Sequence, residues 1–300
     1  MSFKPRLILA VLALGSSLAQ AGASVEVSTP PPPPTAEEVR AGKLDAAVDG
    51  FWRSSANSAR DRHRHPGQTL TFFGVDSDMT VVEITPGGGW YAEILAPYLR
   101  EEGHYIGIML DPSLENNERR AAYYQKQLDD LRAKFEANPA QYDKAELRTI
   151  DPGQISLGEP GSADRVLTFR NVHNWVSAGN AQAMFNAFFD VLKPGGVLGV
   201  VEHRAPVPKK LGKGKMSHQP GPDSGYVDPR SVLAYAREAG FVLEDSSEIN
   251  ANERDTHDHP EGVWTLPPTL RLGDTDREKY IAIGESDRMT LRFVKPDKAK

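Results

Sequence analysis

The 300-residue chain carries 35 basic and 41 acidic residues, and its net charge of -6 argues against a general nucleic-acid binder, because phosphate affinity needs clustered Lys and Arg. It contains no cysteine, which removes disulfides, thiolate metal sites and cysteine nucleophiles. At 39% hydrophobic the chain is somewhat polar, yet long enough to bury a full core.

Lys4 and Arg6 precede a short apolar run, residues 7–14. Two A-x-A sites come next, at 19–21 and 21–23. This is the three-part pattern of a secretory signal peptide, so residues 1–23 are expected to direct export, to the periplasm. The apolar run is too short to span a bilayer, and no stable membrane anchor is expected after cleavage. Residues 24–36 read as an extended linker, since Pro30 to Pro34 cannot join a helix or sheet interior.

Residues 37–70 read as a helical segment. Thr35 and Glu38 have capping-box spacing, and Leu44, Val48 and Phe51 recur at helical spacing. "MTVVEIT" (79–85) then reads as a central strand, continuous and β-branched, as a strand covered on both faces should be. Strands and helices alternate from there. Strands are expected at 104–110, at "AELRTI" before Asp151, at 164–170, at 197–203, at 241–248 and at 289–296. Helices are expected at 90–100, 114–138, 180–192 and 228–240. Such alternation predicts a doubly wound α/β sheet. The last strand, "MTLRFVKP", alternates and suits an antiparallel edge or hairpin.

Three bare glycines, Gly87, Gly88 and Gly89, separate the first strand from its helix. Without Cβ they let a ligand lie against the main chain. Two ligand classes fit. Gly87-x-Gly89-x-x-Ala92 matches the dinucleotide fingerprint, with Asp111 about 20 residues on, which would make the chain a nicotinamide-dependent oxidoreductase. The other reading aligns Glu83, Thr85, Pro86 and the glycines with the E/D-x-G-x-G-x-G motif of class I S-adenosylmethionine-dependent methyltransferases.

Further stretches resemble that family. "AFFDVLKPGGVLGVVEH" is similar to its helix, "LKPGG" turn and fifth strand; "ADRVLTFRNVHNWV" to its fourth strand and the loop beyond; "EAGF" to the start of its sixth strand. The resemblance spans residues 71–296, and the stretches "RDRHRHPGQTLTFFGV" and "EITPGGGWYAEILAPYL" resemble a narrower group of exported bacterial predicted methyltransferases. It implies a Rossmann-like methyltransferase domain over 71–300, mostly parallel with a reversed C-terminal hairpin. One departure stands out: β-branched Thr85 occupies the position of the motif's first glycine.

By resemblance, S-adenosyl-L-methionine is the cofactor. Glu83 would order the loop and favour the cationic methionine end, Asp111 would meet the ribose, and Asp151 the adenine. Each of these strand-end acids is equally suited to capping the next helix. Tyr91 would pack on the cofactor, and Arg170 and Asn171 would approach it. His173 is the candidate general base, because imidazole takes and returns a proton near neutral pH. Asn174 would orient a small-molecule acceptor, Trp175 would stack on it, Arg170 would attract an anionic one, and Glu202 and His203 complete the candidate substrate site. A non-catalytic ligand-binding module on the same fold is the remaining alternative. The pairs His63/His65 and His257/His259 read as polar loops, with no metal site assigned. The basic run 209–215 reads as a solvated loop or a lid.

Overall fold

The computed structural model describes residues 35–151, 153–208 and 219–297. The signal segment, nearly all of the linker and the basic run 209–215 lie outside the described residues. The chain divides into two units, Met1–Thr35 and Ala36–Lys300, and the second contains the sheet and its helices.

Four helices lead in: α1 (Ala36–Val48), α2 (Ser55–Ser58), α3 (Asp61–Arg64) and α4 (Pro66–Phe72). Strand β1 (Thr80–Ile84) is followed by α5 (Ala92–Leu99), β2 (His104–Leu110), α6 (Glu118–Ala137), α7 (Pro139–Tyr142) and β3 (Glu146–Ile150). The second half runs β4 (Ala163–Phe169), α8 (Val172–Ala178), α9 (Ala181–Val191), β5 (Leu192–His203), α10 (Pro229–Ala239), β6 (Val242–Ser247), α11 (Arg277–Ile283) and β7 (Arg288–Val294).

The sheet order is β3-β2-β1-β4-β5-β7-β6, parallel except for β7, which pairs antiparallel with both β5 and β6. The reversed hairpin expected from the alternating tail is therefore present. Successive β1 residues serve opposite faces, which explains the unbroken β-branched run. Val81 joins one core cluster with Leu95, Leu131 and Phe169; Val82 joins the other with Phe185, Phe188 and Val232. Helix α6 buries only the stripe Leu128, Leu131 and Phe135, which recur at helical spacing; most of its charged residues face solvent, while Lys134 reaches back to Glu93 and the Gly88 carbonyl.

Local expectations shift in three places. Phe51 lies past the end of α1 and is 88% exposed, whereas Leu44 is buried, so only part of that helical stripe reaches the core. α6 starts at Glu118, because the Asn117 side chain accepts from the Arg120 amide and ends the preceding loop. Residues 193–196 are a bulge inside β5, not a turn ahead of it: Ala163 pairs with Leu192, and Arg165 next with Val197. Among the described residues, no helix is long and apolar enough to cross a membrane.

Candidate active site

The chain runs outward from β1 through β2 to β3, then returns to β4 on the other side of β1. That reversal opens a crevice at the carboxyl ends of β1 and β4, where open α/β sheets bind ligands. A cleft of about 840 Å³ lies there, within the range of small-molecule sites. Glu83, Thr85, Pro86, Gly87 and Gly88 line it from β1; Arg170, Asn171, His173, Asn174 and Trp175 line it from β4 and α8.

Two non-glycine residues at this reversal have left-handed backbones, Thr85 (φ 51) and Arg170 (φ 63). Each such residue costs about 1–3 kcal/mol, and strain of this kind concentrates where a structure holds a ligand. The Thr85 amide donates to the Ile108 carbonyl at 2.7 Å, which holds the turn in place. Replacing Thr85 with glycine relieves the strain at some entropic cost in the unfolded chain. A net gain of about 1 kcal/mol in urea denaturation is expected for Thr85→Gly; an unchanged or lowered midpoint would show that the turn is unstrained.

The three glycines separate into different duties. Gly88 is exposed, and a Cβ there would meet nothing within 4 Å, so this is open floor. Gly87 needs its positive φ of 58. Gly89 faces away from the cleft: a Cβ would strike Leu131 at 2.6 Å, so it is bare to let α6 approach. Glu83 is buried and accepts from the Tyr105 hydroxyl at 2.7 Å. Burial pushes its carboxyl up to about 7, against the opposing pull of the Tyr105 bond and of Arg170. Its bond goes to β2 and not to the glycine turn, so it does not order that loop by hydrogen bonding.

The other strand-end acids are placed differently. Asp111 accepts from Ser113 through Oδ1, from the amide at 2.9 Å and from Oγ at 2.7 Å, and so caps the short turn after β2. Asp151 is exposed and accepts from the Gly153 amide. Neither belongs to the lining of the cleft, whose wall at this end is Met109, Leu110 and Glu115. Capping, the alternative expectation, is what the Asp111 side chain does; among the described residues no helix follows Asp151, whose carboxylate instead closes a local turn ahead of β4. The acid that does line this wall, Glu115, is held by the Asn117 amide and by Arg120. Nothing in a lone Glu inside "SLENN" distinguishes it in the sequence.

Two aromatic expectations are corrected. Tyr91 lines the cleft, but its ring is stacked on Phe169 with centroids 3.6 Å apart, so that face is taken by protein. Trp175 is 4% exposed and sits edge-on to Phe188 in the core, so it is not free to stack on an acceptor. Trp264, from the segment between β6 and α11, is a further aromatic ring at the cleft, edge-on to His173 at 6.0 Å, and Tyr123 and Tyr124 of α6 line it as well. No sequence signal pointed to Trp264, because its long connection has no periodic pattern. Asn171 spends its amide on the Ile84 carbonyl at 2.8 Å and on Thr168, which ties β4 to β1 across the reversal. Asn174 is exposed at the cleft edge.

Glu202 is fully buried and is not in the lining, so it is not a substrate contact. It positions others. Its Oε2 accepts from the Val172 amide at 2.5 Å, and its Oε1 from the His203 amide at 2.8 Å and from His173 Nδ1 at 3.1 Å. Amide donors require an accepting carboxylate, so the Nδ1 proton sits on His173 and its Nε2 carries the lone pair. His203 also lines the cleft, its Nδ1 bonded to the Ser286 hydroxyl. Burial, then His173, Arg288 and Arg170, hold its imidazole well below the usual range, so it stays neutral.

His173, Glu202 and His203 also have donor atoms within 4.8 Å of one another. Glu202 is already spent on amides and on His173, and Arg170 and Arg288 lie close enough to depress His203. Both facts oppose a cation there. The pairs His63/His65 and His257/His259 form no comparable group among the described residues. His257 turns to Asp287, and His259 to Asp255 at 2.9 Å.

No family model matches the chain, and no curated relative does. Solved structures do. The [4+2]-cyclase SpnF superposes with a TM-score of 0.54 at 16% identity, over 88% of this chain and 98% of its own. A SAM-dependent methyltransferase from Aquifex aeolicus gives 0.50 at 14%, over 85% and 98%. An N-methyltransferase from Haemonchus contortus, solved with phosphomonomethylethanolamine and S-adenosylhomocysteine, gives 0.50 at 14%, over 78% of this chain and 53% of its own. The chain has the Rossmann-like methyltransferase fold. In an open sheet of this order the ligand site falls at the β1–β4 reversal, where the cleft lies. One of these similar proteins is a cyclase, so the methyltransferase fold places the site without choosing the reaction.

Proposed function

We propose that the chain is an exported S-adenosylmethionine-dependent methyltransferase with a small-molecule acceptor. The observation that carries the reading is the floor of the cleft: Gly88 leaves open space in a cleft that a buried, chargeable Glu83 also lines. A sulfonium donor needs both, a bare main chain to lie on and an anion near its cationic end. The residues present fit it. Thr85, Pro86, Gly87 and Gly88 would form the floor, with Met109, Leu110 and Glu115 at the nucleoside end. Asp111 is the next residue beyond that wall, and Asp151 stands at the end of the neighbouring strand.

S-adenosylmethionine, when bound, supplies a methyl group already activated on sulfur. The protein then has to align an acceptor and keep water out. His173 Nε2 takes the proton of an acceptor that must lose one, and Glu202 steadies the imidazolium that results. Trp264, with Pro267 and Pro268, walls the acceptor side. The export signal read in residues 1–23 belongs to the same proposal.

Calorimetry on the purified chain at pH 7, in two buffers of different ionisation enthalpy, tests this. Burial raises the Glu83 carboxyl to about 7, so a cation bound beside it lowers that value and releases protons near neutral pH. S-adenosylmethionine should release more than S-adenosylhomocysteine, which lacks the sulfonium. Glu83→Gln should abolish the difference. The linkage to stability runs the same way: the folded-state value of about 7 lies above the ordinary 4.5, so Glu83's contribution is full below 4.5 and lost as pH rises through 7. Glu83→Gln should therefore be more stable than the parent at pH 8. If neither ligand binds, the donor reading falls.

A further inference from the structure

The far end of the cleft is built from arginines. Arg60, Arg64, Arg170 and Arg288 all line it. Arg64 and Arg288 are almost wholly buried, at 4% and 2% exposed. One carboxylate serves them: Glu285 accepts from Arg60 at 2.6 Å, from Arg64 at 3.1 Å and from Arg288. Four guanidiniums against one carboxylate leave three positive charges without a counterion. Glu83, when ionised, offsets one more and leaves two. Glu202 stands beyond His173 with its oxygens committed to backbone amides and the imidazole.

The hydrogen-bonding groups point the same way. Among the described residues, Arg60 Nη2 and Arg288 Nε are buried with no partner. Among the described residues, the Arg170 guanidinium forms no hydrogen bond or ion pair at all; it is held at the cleft by the left-handed backbone after β4. Burial and neighbouring Arg288 bring its proton affinity down from 12.5 to about 10, so it stays charged at neutral pH. Buried guanidiniums without partners are costly, and an oxyanion satisfies them in the fork geometry they offer.

We propose that this arginine end, with Arg170 at its centre, binds a carboxylate or phosphate group of the acceptor. The inference rests on the donor reading only for assigning that group to an acceptor. The donor's own carboxylate is not enough. S-adenosylmethionine brings a sulfonium and an ammonium with one carboxylate, so its binding adds net positive charge to a cleft that already has an excess. A separate anion and the donor should then favour each other's binding, and by linkage the effect is reciprocal. The anionic group also places the acceptor against Ser286, His203 and His173, which line the same end.

Inorganic phosphate and acetate are the probes, titrated by calorimetry into the full chain, free and saturated with S-adenosylmethionine or S-adenosylhomocysteine. One of the two anions should bind the loaded chain, more tightly with the sulfonium ligand than with its demethylated product. Binding should weaken as salt rises. Phosphate preferred over acetate identifies a phosphorylated acceptor, and the reverse a carboxylic acid. Arg170→Gln, which removes a guanidinium with no partner among the described residues, should weaken the anion at least tenfold, and Arg170→Lys should restore part of it. Circular dichroism checks that each variant is folded. The proposal is overturned if neither anion binds the loaded chain. It is equally overturned if S-adenosylhomocysteine displaces the anion, because the arginines would then hold the donor's own carboxylate. A chain that binds phosphate through Arg170 yet no sulfonium ligand would keep the anion site and remove only the donor reading.

Discussion

Replacing His173 with alanine should lower turnover of a proton-bearing acceptor by about 10²–10⁴-fold, the span that a positioned general base contributes. Affinity for S-adenosylhomocysteine should be unchanged, because the imidazole is at the acceptor end of the cleft. The expectation rests on one geometry. Glu202 accepts from Nδ1 at 3.1 Å while the Val172 and His203 amides hold the carboxylate still, so Nε2 is left with the lone pair. Glu202→Gln provides the check that a merely structural role would fail. Its amide can face Nδ1 as a donor, which moves the imidazole proton to Nε2 and removes the base. The acid limb of the kcat/KM profile should then shift or vanish, with the fold intact by circular dichroism. Full turnover in His173→Ala with an acceptor that must lose a proton would exclude His173 as the base.

Loss of the carboxylate among the arginines carries the largest stability effect. Glu285→Gln should destabilise the chain by about 3–5 kcal/mol at neutral pH, the cost of stripping a buried charge of its partner. For a domain of this size that is a fall of about 10 °C in the melting midpoint. Arg60, Arg64 and Arg288 would be left facing one another with no anion between them. The pH dependence has a definite sign. Burial would raise the Glu285 carboxyl, but Arg288, Arg64, Arg60 and Arg170 override it and hold it far below the ordinary 4.5. Its contribution is thus present above 4.5 and lost as pH falls below that value towards the folded one. The gap between parent and variant should close on acidification. Equal stability of the two at neutral pH would show that the arginines are neutralised in another way.

The same arginines show where reading a sequence stops. Arg60 and Arg64 sit in "RDRHRHP", Arg170 in "FRNVHN" and Arg288 in "SDRMT". Arg170 could be singled out by its place after β4, but Arg60, Arg64 and Arg288 are ordinary basic residues in their own stretches, and the meeting of all four is a product of the strand order. Glu285, 225 positions from Arg60, had no visible role for the same reason. Trp264 and Glu115 were hidden likewise, in connections without periodicity. The acids at the strand ends were visible, but which way they turn was not: Asp111 bends back to Ser113, and Asp151 to Gly153.

Along the chain, local patterns already specified much. The β-branched run before Gly87, the strand–helix alternation and the alternating tail sufficed for the sheet and its reversed last strand, because strand burial and helical periodicity are written in neighbouring residues. Gly88 and His173 could be singled out for the same reason, as residues at the tips of strands facing the reversal. Tertiary packing alone decided that Gly89 is bare for α6 and not for a ligand, that Trp175 is core, that Glu202 serves His173, and that distant guanidiniums share one carboxylate. Those outcomes depend on which segments meet across the sheet, and side-chain direction and partnership between distant segments leave no trace in a local pattern.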